Sequence, residues 1–150
     1  MGVLMGIVNF LARYFRNEYV MAGAPAIIIN EKGEILLGKR SSHTVYPLYW
    51  NLPGGIIENG ESIEDAIKRE VKEELGVEVV KLKRGKDIYQ NLPNKHSNYH
   101  TIDIPYFCKI KGIPKPMEET IEVKWFKPEE IKNLQLAYTH KEILKGEGLI

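Results

Sequence analysis

The sequence predicts an α/β sandwich, because strand-like runs lie on both sides of one strong amphipathic helix. Apolar residues recur at helical spacing within residues 62–75. The flanking runs are shorter, continuous and rich in isoleucine and valine, as buried strands are. The chain has 150 residues, enough for one domain with a sizeable core.

Two strands and a short aromatic segment are expected before this helix. Residues 24–29 form an apolar run, and the turn at 30–33 joins it to a second run at 34–39. This order predicts a β-hairpin. Trp50 begins a short strand that breaks into a tight turn at the glycines of 54–55.

The helix itself has clear start and stop signals. Ser62, with Asp65 three residues later, predicts a capping box, and Gly76 follows the last apolar residue. The stripe expected to face the core consists of Ile63, Ala66, Ile67, Val71 and Leu75.

Three strands and two short helices are expected in the second half of the chain. The strands are predicted at 77–82, 99–110 and 121–126. Pro128 suits the first turn of a helix, and 138–145 is expected to form the last one.

Residues 1–19 are expected to form an N-terminal helical extension ahead of a domain at 20–150. Leu4, Ile7, Val8 and Leu11 fall at helical spacing. The apolar run, of about 12 residues, is too short to span a bilayer, and it lacks the basic start of a signal peptide. We expect this helix to pack on the domain or on a partner in a homodimer.

Charge is unevenly distributed along an otherwise ordinary composition. Hydrophobic residues make up 43% and charged residues 27%, with a net charge of +1. Residues 58–78 contain eight acidic and three basic residues, so they carry −5 and the rest of the chain +6. This distribution fits a metal site that receives a polyanion, although a solvated acidic helix face would show the same composition. Cys108 is the single cysteine, which excludes an internal disulfide and suits the cytoplasm.

Three carboxylates of the helix share one face. Glu70, Glu73 and Glu74 stand at i, i+3 and i+4, where like charges cost roughly 0.2–0.5 kcal/mol per pair. A hard divalent cation would neutralise them, and the carbonyls of the preceding glycine turn are further oxygen donors. Oxygen ligands favour Mg²⁺ or Mn²⁺ over zinc. Arg69 stands beside these acids and can pair with a carboxylate such as Asp65.

The spacing of these residues resembles the complete Nudix box. Its fixed positions are filled in order by Gly55, Glu61, Arg69, Glu70, Val71, Glu73, Glu74, Gly76 and Val77. Nine specified residues over 23 positions are a specific signal. The resemblance extends over roughly residues 22–133.

The resemblance implies a Nudix-type α/β/α sandwich with a mixed sheet, and hydrolysis of a diphosphate linkage in a nucleoside diphosphate derivative. It implies that Glu70, Glu73 and Glu74 bind Mg²⁺, with Mn²⁺ as a substitute and the Gly55 carbonyl as a further ligand. Arg69 would act in the catalytic turn by orienting it, together with Glu61.

The general base is left open at this point. Family members take it either from the box or from a later loop. The candidates here are Glu70 and Glu73 in the box, which we favour, and Glu118, Glu119 and Glu122 in the later segment.

Arg40, Trp50 and Glu122 are the candidate substrate-binding residues. Arg40 could contact phosphate, and Trp50 could stack a base together with Tyr46 and Tyr49. A solvated strand end and a covered core are the structural alternatives.

The partner expected from the resemblance is a small nucleotide. Pro93 lies 16 residues after Val77, which in the family is associated with ADP-ribose. Nucleoside triphosphates fit equally well. The alternative of another class is a non-catalytic, nucleotide-binding regulatory module on the same fold. No stable nucleic-acid partner is expected, since the basic run at 81–86 reads as a solvated strand edge.

Overall fold

The computed structural model describes residues 2–15 and 19–150. Two sheets and two main helical layers make up the domain, and a further helix precedes it. The elements are α1 (Gly2–Phe15), β1 (Val20–Ile28), β2 (Ile35–Arg40), β3 (Trp50–Asn51), β4 (Gly54–Ile56), α2 (Ile63–Leu75), β5 (Glu78–Arg84), β6 (Tyr89–Asn91), β7 (His100–Asp103), β8 (Tyr106–Lys111), β9 (Thr120–Phe126), α3 (Pro128–Ile131) and α4 (His140–Gly146).

Strand β1 is the centre of the larger sheet, which has the order β5-β8-β1-β7-β6, with β4 also paired to β1. It runs parallel to β7 and β8 and antiparallel to β4, so the sheet is mixed. The smaller sheet, β3-β2-β9, is antiparallel.

The core lies on both faces of this arrangement. Ala26 and Ile28 of β1 belong to the cluster that includes Val71 of α2. Ile27, between them, belongs to the cluster that includes Ile143 of α4. Successive strand residues point to opposite faces. Helices α2 and α4 therefore cover opposite sides, which confirms the α/β/α sandwich.

The predicted hairpin at 24–39 is wrong in its pairing. Ile29 and Ile35 form one isolated antiparallel bridge beside the turn. Beyond it β2 leaves β1 and pairs with β3 and β9 in the other sheet. The local turn signal was correct, but the chosen partner depends on strands far along the chain.

The single strand predicted at 99–110 is two strands. Pro105 has no N–H to donate to a ladder, and the N–H of Ile104 bonds instead to the Gly23 carbonyl at 2.9 Å. Strand β7 pairs with β1 at Val20–Gly23, while β8 pairs with it at Ala26–Ile28. The break thus moves the chain from one side of β1 to the other.

Helix α2 begins and ends as its sequence predicts. The Ser62 hydroxyl accepts the N–H of Asp65 at 3.1 Å. Gly76 has φ of 68°, in the left-handed region, and its N–H bonds to the Lys72 carbonyl. These caps fix the length of α2 and hold its acidic face in register with the turn at β4.

Helix α1 does not pack on the domain through the side chains that the structure describes. Leu4, Ile7, Val8 and Leu11 are all exposed, and Val3 keeps 81% of its accessible surface. The expectation that α1 covers the domain is therefore not met at these residues. In the described part of the chain, no helix is long and apolar enough to cross a membrane.

Candidate active site

A cleft of about 470 Å³ opens where β4 and α2 meet the end of β7. One wall carries Gly54, Gly55 and two glutamates of α2, Glu70 and Glu74. The rest of the lining comes from β7, the 43–45 loop and the segment before α4. The Nudix-box residues thus occupy one side of a cavity large enough for a small ligand.

The glycine turn and the acidic face of α2 are in direct contact. The Gly54 N–H donates to Glu74 Oε2 at 3.0 Å. A Cβ on Gly55 would overlap the Glu70 carboxylate. Only glycine lets the backbone approach this carboxylate so closely, which explains the glycine that the sequence places here.

Arg69 organises the carboxylates at the edge of the cleft. Its Nε and Nη2 donate to Glu61 at 2.7 and 2.9 Å, and its Nη1 donates to Glu70 at 2.7 Å. Nη2 also bonds to the Ile56 carbonyl at 3.1 Å, which connects α2 to β4. The suggested pair with Asp65 is not formed, because the guanidinium turns toward the glycine turn and away from the first turn of α2.

Electrostatics in the cleft match this hydrogen bonding. The Arg69 guanidinium lowers the pKa of Glu61 to about 2. Burial raises the pKa of Glu74 to about 8, against the opposing bond from Gly54, and the charge of Glu70 adds to the rise. Burial also raises the pKa of Glu70, which Arg69 partly offsets. Negative charge is therefore costly on the α2 side of the cleft.

The donor set fits a hard divalent cation. Carboxylates of Glu70, Glu73 and Glu74 and the backbone of Gly55 are all oxygen ligands. Across residues 2–15 and 19–150, however, no three His, Cys, Asp or Glu side chains converge closely enough to hold a metal ion. The reason is that Arg69 holds Glu70 and reaches Glu73 at 3.4 Å, while Gly54 holds Glu74.

Arg40, predicted to contact phosphate, lines the cleft. Its Nε donates to the Val45 carbonyl at 2.7 Å, and its guanidinium lies 5.3 Å from the centre of the Tyr138 ring. Its charge also lowers the pKa of Glu74, although less than burial raises it. The Arg40 guanidinium, held by Val45, is thus a positive charge in the same cleft as Glu70 and Glu74.

Trp50 and Glu122, the other predicted substrate contacts, do not line the cleft. The Trp50 ring packs edge-on against Phe126 at 4.8 Å, in the core below α4. Glu122 lies on β9 and pairs with Lys39 of β2 at 3.9 Å. Both side chains belong to the smaller sheet, away from the cleft.

The two tyrosines expected to stack a base take part in an aromatic cluster. Tyr46 is buried, and its ring centre lies 4.7 Å from that of Tyr138 and 5.6 Å from that of Tyr49. His96 completes the cluster at 5.2 Å from Tyr46. These residues support the loop beside the cleft.

Sequence reasoning missed the cleft residues that come from β7 and from the segment around the start of α4. Tyr99, Thr101 and Asp103 of the β7 region alternate in sequence and all line the cleft, as do Tyr138 and His140. No clear signal in the sequence marks them, because His100 between Tyr99 and Thr101 is also polar; the structure shows that Thr101 and Asp103 are buried and that His100 and Ile102 are half-buried. Tyr138 also has φ of 55°, a conformation that non-glycine residues seldom adopt.

His140 fixes the end of this part of the cleft. Its Nδ1 accepts the N–H of Leu52 at 2.9 Å, so that nitrogen carries no proton. Burial lowers the pKa of His140 to about 3, and the charge of Arg40 contributes in the same direction. The imidazole is therefore neutral at physiological pH and joins α4 to the strand that precedes the glycine turn.

Together with the fold, the contact of the glycine turn with Glu70 and Glu74, and Arg40 in the same cleft, match a hydrolase of phosphoanhydride bonds. The sequence model of the NUDIX domain matches residues 20–146. The chain therefore belongs to the Nudix family and is a Nudix hydrolase.

Two relatives show which activities occur near this sequence. An ADP-ribose pyrophosphatase of Methanocaldococcus jannaschii is 34% identical over 120 residues, covering 79% of this chain and 68% of the relative. The nucleoside triphosphatase NudI of Escherichia coli (strain SE11) is 28% identical over 132 residues, covering 83% of this chain and 94% of the relative.

Solved structures agree with the fold. The MutT NUDIX hydrolase of Burkholderia pseudomallei superposes with a TM-score of 0.76 at 25% identity, covering 85% of this chain and 97% of that one. The NUDIX domain of Shewanella oneidensis NrtR, solved in complex with ADP ribose, gives a TM-score of 0.69 at 18% identity, covering 85% of both chains.

Proposed function

We propose that this protein hydrolyses the diphosphate linkage of ADP-ribose, with Mg²⁺ held by Glu70, Glu73 and Glu74 and with Mn²⁺ as a substitute. The observation that carries the proposal is the contact of Gly54 and Gly55 with two of these glutamates, inside a cleft that also contains Arg40. The 34% identity to an ADP-ribose pyrophosphatase supports this substrate.

Three residues in or beside the cleft would position the metal ligands and the diphosphate. Glu70, Glu73 and Glu74 would hold the divalent cation, which would supply neutralisation of the diphosphate charge and activation of water. Arg69 keeps Glu70 at the edge of the glycine turn, and Gly54 keeps Glu74 beside it. Arg40, which lines the same cleft, would bind a phosphate oxygen and orient the diphosphate.

The candidates for the general base differ in whether they line the cleft. Glu70 lines the cleft, and so does Glu119 of the later segment. The charge of Glu118 raises the pKa values of both Glu70 and Glu74, so Glu118 is also near. Glu122 pairs with Lys39 outside the cleft. We keep a box glutamate as base, with Glu119 as the alternative from the later segment.

A nucleoside triphosphate is the second candidate substrate. It is supported by NudI, of which this chain covers 94% of the length. The two substrates differ in what lies beyond the diphosphate: a sugar in one case and a further phosphate in the other.

The single cysteine, buried at Cys108, is consistent with a cytoplasmic enzyme, which we propose here.

The test is hydrolysis of a panel of nucleotides with Mg²⁺, followed by product identification. ADP-ribose should give AMP and ribose 5-phosphate, and excess EDTA should abolish the reaction. Release of nucleoside monophosphate and inorganic pyrophosphate from triphosphates, without cleavage of ADP-ribose, would favour the second candidate. No turnover of any nucleotide would favour a binding module instead.

A further inference from the structure

Asp103 is a buried carboxylate that the proposed chemistry does not use. It ends β7, keeps only 6% of its accessible surface, and lines the same cleft as Glu70 and Glu74. A carboxylate is seldom buried without a strong partner. Its position in a ligand-sized cavity therefore calls for a functional explanation.

The neighbouring strand leaves space for the Asp103 side chain. Asp103 is paired in register with Gly23 of β1, and a Cβ on Gly23 would overlap Asp103 Oδ1. A residue with any side chain at 23 would thus push the carboxylate away. Glycine inside a strand is unfavourable by itself, so its presence here indicates that the space is needed.

The carboxylate has only weak partners within the protein. The Thr139 hydroxyl donates to Oδ2 at a long 3.4 Å, and the Thr101 hydroxyl also bonds to the group. Among the described residues, no lysine, arginine or histidine forms an ion pair with Asp103. Two neutral hydroxyls do not compensate the desolvation of a carboxylate, which leaves acceptor capacity for a ligand.

The distance from the catalytic turn suits the nucleoside part of a substrate. Gly23 pairs with Ile56 of β4 on one side and with Asp103 on the other. Two strand spacings separate Asp103 from the glycine-turn strand, or about 10 Å. Tyr99 lines the same cleft and is an aromatic residue of the kind on which bases stack.

We propose that Asp103 determines base specificity by accepting a hydrogen bond from an exocyclic amino group of the substrate's nucleobase. The proposal rests on the proposed function in that it assumes a nucleotide substrate with its diphosphate at the acidic wall. A ribose hydroxyl could also donate to a carboxylate, but the ribose is joined to the diphosphate and lies nearer the glycine turn than the base does.

The experiment measures equilibrium binding of nucleoside monophosphates in EDTA, so that neither metal nor turnover is required. AMP, GMP and CMP each carry an amino group, whereas IMP and UMP lack it. We expect the wild type to bind at least one amino-bearing nucleotide about tenfold or more tightly than its amino-free counterpart, as a charged hydrogen bond allows. Asp103→Asn should reduce this ratio to near one, because an amide can donate to an oxo group as well as accept.

Two further variants separate a specific effect from a general one. Gly23→Ala should remove the same preference by displacing the carboxylate, with Asp103 itself unchanged. Asp87→Asn, at an exposed acid outside the cleft, should keep the wild-type ratio. In hydrolysis assays, Asp103→Asn should raise KM for the amino-bearing substrate and leave kcat largely unchanged.

Each outcome bears on one proposal or the other. An unchanged amino preference in Asp103→Asn, or no amino preference in the wild type, would overturn the role of Asp103. If the wild type binds 2′-deoxy-AMP as much more weakly than AMP as it binds IMP, the contact belongs to the ribose. That result would also overturn the role of Asp103 in base specificity. An amino preference that depends on Asp103 in a protein that hydrolyses nothing would uphold it and contradict only the proposed hydrolysis.

Discussion

Arg69 is the residue on which the geometry of the catalytic turn depends most. One guanidinium joins Glu61 in the loop before α2, Glu70 on α2 and the carbonyl of Ile56 on β4. A lysine has a single ammonium group instead of a planar guanidinium, so it cannot bond to all three of these acceptors at once. The role is positioning: Arg69 sets where Glu70 stands relative to the glycine turn.

We therefore predict that Arg69→Lys lowers kcat about 10- to 100-fold, as loss of a partner that orients metal ligands typically does. The far-ultraviolet circular dichroism should be unchanged. Steady-state kinetics with Mg²⁺ measure the effect, with Lys68→Gln, an exposed change on the same helix, as the control. Equal kcat in Arg69→Lys and the wild type would contradict the positioning role.

His140 makes folding stability depend on pH. Its pKa is about 3 in the folded protein because of burial and then the charge of Arg40, against about 6.5 when unfolded. Below about pH 6.5 the unfolded chain binds a proton that the native state refuses. This contribution to stability is present above that pH and is lost as the pH falls toward 3.

His140→Asn keeps an acceptor for the Leu52 N–H but cannot titrate. We expect it to be less stable than the wild type at pH 7.5 and to lose less stability on acidification. Thermal melts at pH 7.5, 6, 5 and 4 measure the gap in Tm between the two proteins, which should narrow as the pH falls. A constant gap would show that His140 titrates normally.

At the level of single residues, sequence reasoning identified the groups whose roles come from local spacing. Glu70, Glu73 and Glu74 share a helix face wherever that helix forms. Asp103 and His140 could not be assigned, since each is an isolated residue whose partner lies far away in the chain. Arg69 was identified, and the resemblance grouped it with Glu61, but helical spacing suggested Asp65 as its ion-pair partner, because Glu61 lies in a loop whose path no periodicity predicts.

Among the elements, α2 matters most because it carries the acidic face and is fixed at both ends. The Ser62 hydroxyl satisfies the Asp65 N–H, one of the amides that the first helical turn leaves unpaired. Ser62→Ala should cost about 1 kcal/mol of the free energy of unfolding. Urea titration gives this value, and Ser42→Ala, an exposed loop serine, is the matched control.

No loss of stability in Ser62→Ala would mean that the cap is redundant and that the contacts of α2 with the sheet define its start. Such a result would leave the acidic face intact. It would transfer the positioning of that face entirely to the buried stripe of Ala66, Ile67, Val71 and Leu75.

Elements with strong local signals were predicted well, and strand pairings were not. Helix α2 has its period, its cap and its terminal glycine within 15 residues of sequence. Strands β1 and β2 share a turn, yet β2 pairs with β9 from Ile35↔Phe126 onward, about ninety positions away. Such pairings are decided by tertiary packing, because any apolar strand can in principle pair with any other.

For the whole molecule, the open question is the place of helix α1. Its described side chains are exposed, and Leu4, Ile7, Val8 and Leu11 form an apolar stripe at helical spacing. We retain from the sequence the proposal that α1 lies on a homodimer partner. The NUDIX match begins at residue 20, after this helix.

A protein that lacks residues 2–17 should keep the Tm and kcat of the full chain under conditions where both are monomeric. The reason is that the apolar side chains described for α1 are exposed. Sedimentation velocity of both proteins then tests the dimer: the full chain should dimerise and the truncated chain should not. A strong drop in Tm on truncation at low concentration would show that α1 stabilises the domain itself.

The central claim is that the acidic face of α2 holds the metal over a diphosphate. The most direct measurement is kcat for Mg²⁺-dependent ADP-ribose hydrolysis by Glu73→Gln and Glu74→Gln, beside Asp65→Asn, an exposed change on the same helix. We predict that kcat falls at least about tenfold in each glutamine variant with the fold intact, while Asp65→Asn keeps wild-type turnover. Wild-type turnover in either glutamine variant would contradict the account.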